Sequence, residues 1–314
     1  MTDDDVLDEA LTRLHATGPE YEGYLSNHGP MAADALIRMG RADAVEAWLV
    51  GYLPRLHDAP VERRPLTELH SPDALGQHDR VGDWCAMFDR LLEEEPWSAV
   101  LTRWWPRLLP SAVTAAAHPL IRTGHVVRSL RERETEPRRR ELAQALGYWA
   151  ARWQPLQPAS APSIPLLQLP VVTANGTFQE RLDQLGTMPA GPQDLEALVD
   201  EAVAGYLSWG ADNPVMLVHA ATAPRAAALV LPSLPVELWA PTRAVARSVT
   251  ATVVTAYRTG GLAPAPSSAD DVVDRAVVTG DEHALKFTEV ALESAARGSD
   301  VAVAAASLAC DLLA

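Results

Sequence analysis

Nine histidines carry most of the chemical potential of this 314-residue chain, and five of them sit where an imidazole is hard to solvate. His28, in Asn27-His28-Gly29-Pro30, stands where a helix should begin. His118 lies in Ala117-His118-Pro119-Leu120-Ile121-Arg122, and His125 follows it by seven positions. His219 interrupts the apolar run Met216-Leu217-Val218-His219-Ala220. His283 and Lys286 are i, i+3 neighbours and project from one helical face. An imidazole in apolar surroundings needs a partner, and a metal ion is a good one. Helical bundles build metal sites in this way, with ligands contributed by separate helices. Each histidine alone is more often a hydrogen-bonded core residue, and this wide spacing forms no compact metal motif. His15, His57, His70 and His78 fall in polar or loop sequence and are expected at the solvated surface.

A second chemical signal is compositional. The chain holds 25 arginines and one lysine, Lys286. Guanidinium stays protonated, whereas a buried amine can lose its proton and act as a nucleophile or base. The two cysteines, Cys85 and Cys310, form no C-x-x-C pair and are expected to be idle thiols. No glycine fingerprint for a dinucleotide or nucleoside triphosphate is present, nor a G-x-S-x-G elbow, nor H-E-x-x-H.

The elements that must position these residues read as helices. Pro30 opens one over Met31–Arg41. Pro110-Ser111 leads into another, Ala112 to about Arg133, bent at Pro119. Pro192 precedes an apolar face of Leu195, Leu198, Val199, Ala202 and Tyr206. Asn213-Pro214 caps and starts the helix that carries His219. Val245, Val249, Val253 and Tyr257 continue a helical period up to Gly260-Gly261. Asp281 caps Glu282–Arg297, and a last helix spans about Asp300 to Leu313. The segments 57–80 and 154–187 are polar or proline-rich and irregular, and Asn175-Gly176-Thr177 is read as a turn. Val171-Val172-Thr173 is the thin evidence for a strand. The expectation is an all-α fold, one large multi-helix domain over 1–314 with a metal site between helices.

Composition narrows the partners. A 48% hydrophobic fraction supplies a large core, and the net charge of −15 repels phosphate backbones and anionic lipid. No nucleic-acid or membrane partner is expected. The acidic start Met1-Thr2-Asp3-Asp4-Asp5 does not resemble a signal peptide, and no run of about 18 apolar residues occurs, so a cytoplasmic protein is expected. Nine tryptophans against three phenylalanines could line a pocket for a flat aromatic molecule, although core packing is the commoner role.

Four segments, in order along the chain, resemble motifs of the questin oxidase-like family: Asn27-His28-Gly29-Pro30-Met31-Ala32 with Arg38-Met39-Gly40-Arg41; His118-Pro119-Leu120-Ile121-Arg122; Val218-His219-Ala220-Ala221-Thr222-Ala223-Pro224; and Asp281-Glu282-His283-Ala284-Leu285-Lys286-Phe287-Thr288-Glu289. The resemblance implies a flavin-independent oxygenase that opens or cleaves rings of anthraquinone-like polyketides in a Baeyer–Villiger-type oxidation. It implies Fe(II) with His28, His118, His219 and His283 as nitrogen ligands and a carbon dioxide-derived carbamate on Lys286 as the fifth. Dioxygen and an aromatic polyketide are the implied small-molecule partners, with an external reductant such as NADPH. Imidazole and carboxylate donors suit iron, manganese or zinc. Arg122, one turn after His118, would steer a substrate anion, and His125 would be a substrate contact, a partner of a ligand or an alternative ligand. Asn27 and Glu289 would orient imidazole N–H groups or the carbamate. Two other readings stand beside this one: a zinc hydrolase using the same histidines and lysine, and a non-catalytic helical scaffold with structural histidines. The sequence leaves the oligomeric state open.

Overall fold

The computed structural model describes residues 2–22, 25–155, 165–169, 194–261, 263–267 and 271–314. Most of the irregular connection expected at 154–187, the turn at Asn175, the valines at 171 and 172, and Pro192 lie outside these residues. The fold is all-α. The only strands among the described residues are β1 (Glu20–Tyr21) and β2 (Leu25–Ser26), which pair antiparallel with Tyr21 opposite Leu25.

The chain divides into two compact units. The first comprises residues 1–155 with 229–238, and the second comprises 156–228 with 239–314. In the first unit the helices are α1 (Asp3–Leu14), α2 (Gly29–Arg38), α3 (Ala42–Tyr52), α4 (Val81–Glu94), α5 (Trp97–Leu108), α6 (His118–Glu132) and α7 (Glu136–Ala151). Helix α1 starts at a reciprocal capping box between Thr2 and Asp5, and α2 stops at Gly40, whose φ of +74° suits only glycine well. Helices α4 and α7 touch at Cys85 and Gly147. A Cβ at Gly147 would stand 2.7 Å from Cys85 Sγ and 2.8 Å from its backbone nitrogen, so the close approach depends on glycine. The tryptophans serve the core: Trp84 and Phe88 meet Trp104, and Trp105 meets Trp149 edge to face.

In the second unit the helices are α8 (Leu195–Trp209), α9 (Pro214–Leu217), α10 (His219–Val230, its last two residues falling in the first unit), α11 (Trp239–Tyr257), α12 (Val272–Thr279), α13 (Glu282–Ala296) and α14 (Ala302–Leu313). Helix α13 packs against α14 and α8, with Phe287 against Tyr206 at 4.5 Å between ring centroids. Asp281 caps α13 by accepting from the backbone of His283 and Ala284, as the sequence predicts. The stretch Pro214–Ser233 reaches a mean hydropathy of 1.4, long and apolar enough by composition to cross a membrane, but 72% of its most apolar window is buried inside the protein.

Two expectations are corrected. The helix expected over Ala112–Arg133 begins only at His118. Ala115, Ala116 and Ala117 form a left-handed turn (φ 46°, 55° and 64°) that breaks it, and Pro119 fills a first-turn position instead of bending a helix interior. His15 is buried, not solvated, because it extends the inward stripe of Leu7, Leu11 and Leu14 on α1. His57 and His78 are exposed as expected. The segment 57–80 is irregular apart from short 3₁₀ turns, and Asp83 pins it by accepting from the backbone of Arg63 and Arg64.

Candidate metal centre

His28 precedes the first turn of α2. Its backbone N–H donates to the Tyr52 hydroxyl at 2.7 Å. Asn27 does not orient an imidazole. Its amide donates to Thr17 Oγ1 and the Gly18 carbonyl, and its Oδ1 accepts from Gly29 N–H at 2.9 Å, so it fixes the backbone that presents His28. Glycine at 29 leaves room for Leu14: a Cβ would stand 2.3 Å from Leu14 Cδ2, and that side chain would have to shift.

His118 opens α6 directly after the left-handed alanine turn. Its Nδ1 lies 2.5 Å from the Ala115 carbonyl oxygen. A carbonyl only accepts, so Nδ1 carries the hydrogen and Nε2 carries the lone pair. That Nε2 stands 2.5 Å from His28 Nε2, with the rings crossing at 62°. Both side chains are buried. Two imidazole nitrogens therefore converge on one point, the arrangement a shared cation or a single shared proton satisfies.

The second unit repeats the device. His219 opens α10, and its Nδ1 lies 3.1 Å from the Met216 carbonyl oxygen, three residues back as in the His118–Ala115 pair. His219 faces His283 on α13 edge to face, 5.4 Å between centroids. His283 Nδ1 lies 3.5 Å from Asp281 Oδ1. Burial lowers the His283 pKa, the Asp281 hydrogen bond opposes this, and the Lys286 charge lowers it further, so the ring favours its neutral, ligating form. His118 and His219 thus have Nδ1 directed at a carbonyl acceptor, which leaves Nε2 for a ligand. This anchoring is how proteins fix the tautomer of metal-binding histidines.

Lys286 is fully buried one turn after His283, and its amine makes no hydrogen bond among the described residues. Burial lowers its pKa to about 8, with Glu282 and Asp281 pulling the other way. A neutral amine is the form that attacks carbon dioxide, and an orphaned buried amine is a costly thing to keep without a use. Glu289, also buried, follows Lys286 on α13 by three residues.

The two residues expected to touch substrate have partners of their own. Arg122 is buried, with Nε 2.5 Å from Glu141 Oε1, Nη2 2.8 Å from Glu141 Oε2, and Nη2 2.9 Å from Gln144 Oε1. Its charge is matched within the protein, which leaves little for a substrate anion. His125 Nδ1 donates to Asp34 Oδ2 at 2.8 Å. Sequence reasoning missed Asp34, whose only signal was the i, i+4 relation to Arg38.

The residues present fit a metal. They offer two imidazoles, His118 and His219, whose Nδ1 is turned to a carbonyl, a third, His283, that burial keeps toward its neutral form, and the buried amine of Lys286. No protein-family model matches the chain, and no curated protein matches it.

Proposed function

We propose that this chain is a flavin-independent, non-haem iron oxygenase of the questin oxidase-like type, acting on a fused aromatic polyketide, with His28, His118, His219, His283 and a carbamylated Lys286 as its metal ligands. One observation carries the reading. Both histidines that open helices, His118 and His219, bind a carbonyl three residues back through Nδ1, and each faces a second buried histidine. Structural core histidines need no such repetition. The orphaned amine of Lys286 supports the same reading, as does the absence of a nucleotide fingerprint. The hydrolase alternative leans on a strand-rich barrel, and among the described residues the strands are two residues long.

Bound iron would supply the redox chemistry that activates dioxygen. The chain's own contribution is to present neutral nitrogen donors, to exclude water around them and to hold a carbamate. Carbamylation joins the neutral Nζ of Lys286 to the carbon of carbon dioxide and releases one proton. The product carboxylate would offset part of a dication's charge.

Elemental analysis of anaerobically purified protein in bicarbonate buffer tests this, wild type beside Lys286→Arg. About one iron per chain in the wild type, lost in the variant, is expected for a site that needs the carbamate. A carbamate carbonyl resonance should appear after equilibration with ¹³C-bicarbonate. Protein without any transition metal, or iron retained in full by the variant, would sink the reading. Stoichiometric zinc in both proteins would turn it toward a hydrolase.

A further inference from the structure

Helices α2 and α6 are bridged twice. His28 and His118 meet at their N-terminal ends. Six residues further along one chain segment and seven along the other, Asp34 and His125 meet as well. At about 1.5 Å per helical residue the second bridge lies roughly 10 Å along the helices from the first.

The second bridge is a buried carboxylate–imidazole pair. Asp34 is buried, and both its oxygens are held: Oδ2 by His125 Nδ1 at 2.8 Å and Arg128 Nη2 at 2.5 Å, Oδ1 by Arg38 Nε at 3.2 Å. Burial alone would raise its pKa, but Arg128, His125 and Arg38 together hold the carboxyl far below the usual range. An ionised carboxylate only accepts, so His125 carries its hydrogen on Nδ1 and a lone pair on Nε2. That Nε2 makes no hydrogen bond among the described residues, and the side chain keeps 9% exposure. A carboxylate that fixes the tautomer and steadies the imidazolium is the supporting half of a nucleophile-activating triad. A metal ion on Nε2 would be the other use of this arrangement. The Arg128 guanidinium, 3.3 Å from His125 Nδ1, sets positive charge beside the ring, which opposes a dication about twice as strongly as the single proton charge that Asp34 faces.

We propose that His125 accepts the proton of an acidic hydroxyl on the substrate, with Asp34 as its positioning residue. The substrate class rests on the oxygenase reading above; the dyad itself does not. In the step, the substrate O–H bond breaks and an N–H bond forms at Nε2. The electron pair stays on oxygen as a phenolate, and Asp34 faces the new imidazolium charge. The phenolate is the more easily oxidised form of a hydroxylated ring.

The probe is 1,8-dihydroxyanthraquinone, whose visible band moves to longer wavelength on ionisation. It is titrated with full-length protein across pH, with and without chelator. In the wild type its apparent pKa should fall by about one unit or more relative to the free dye, and chelation should leave that shift in place. His125→Gln should bind the dye within about threefold of wild type yet let it titrate as the free dye does. Asp34→Asn should lose at least about half of the shift, and circular dichroism separates this effect from unfolding. Should Asp34→Asn fail to fold, His125→Gln decides alone. The proposal falls if the dye does not bind, if His125→Gln keeps the wild-type shift, or if chelation abolishes it. Failure of the oxygenase reading is registered separately, as missing iron in the elemental analysis.

Discussion

Lys286 is an amine in a dry core, and its ionisation sets a measurable cost. Its folded pKa, about 8, is depressed from the usual 10.5. A depressed lysine penalises the protonated form. Its stability contribution is therefore largest above the unfolded value and lost as pH falls through the folded one. Replacing it by methionine should stabilise the metal-free protein by on the order of 3 kcal/mol near neutral pH, with the gain shrinking as pH approaches about 10. Urea denaturation at several pH values measures this. The same variant should bind no iron, and a stabilised, inactive variant is the mark of a residue retained for function. A destabilised Lys286→Met would assign the amine a structural role instead.

At the element scale, the ends of the helices matter more than their middles. Both histidines that anchor to a carbonyl open a helix, and the strained turn before α6 sets where His118 points. Three consecutive left-handed alanines cost about 1–2 kcal/mol each relative to right-handed backbone. Ala116→Gly should therefore raise stability by roughly 0.5–1 kcal/mol, against the usual loss for this substitution in helices. Ala116→Val should lower it by about 2 kcal/mol or more, since a β-branched side chain fits that region worst. Thermal denaturation of the two variants checks the pair of signs. The helices themselves were legible in the sequence from period and caps: Asp281 and Asn213 mark boundaries that the structure reproduces, whereas α2 ends at Arg38, before the Arg41 expected. The break at Ala115–Ala117 was not legible, because alanine is the best helix former and nothing local demands that it turn left.

For the whole molecule, acid and base limits of stability follow from carboxyls of opposite kinds, Asp34 and Glu141 buried and Asp89 half-buried. Asp34 and Glu141 have lowered pKa values: burial opposes ionisation, and Arg128 and Arg122 respectively, with their neighbouring hydrogen bonds, prevail. Their stabilising contribution is present above the unfolded carboxyl range and is lost as pH falls. Asp89 is the reverse. Burial raises it to about 6, only partly offset by Arg140 and His15. Its contribution is greatest below the unfolded value near 3.8 and is lost as pH rises through about 6. Asp89→Asn should then stabilise the protein by about 1–2 kcal/mol at pH 7–8, allowing for partial solvent screening, and by little near pH 4. A pH series of denaturation midpoints gives the answer, and an equal effect at both ends would refute the assignment.

The sequence alone determined the all-α class, most helix positions, which histidines fall in apolar helical stretches and that Lys286 is the one lysine. Those follow from local properties: hydrophobic period, capping chemistry and residue type. Tertiary structure decided the pairings. His28 meets His118, His219 meets His283, Arg122 is neutralised by Glu141, and His125 is handed to Asp34. His15 turned inward because the stripe of α1 carried it there. Each of these joins residues far apart in the chain, or depends on which face of a helix is covered. Local pattern names the groups able to react, but packing alone decides which partner each one meets.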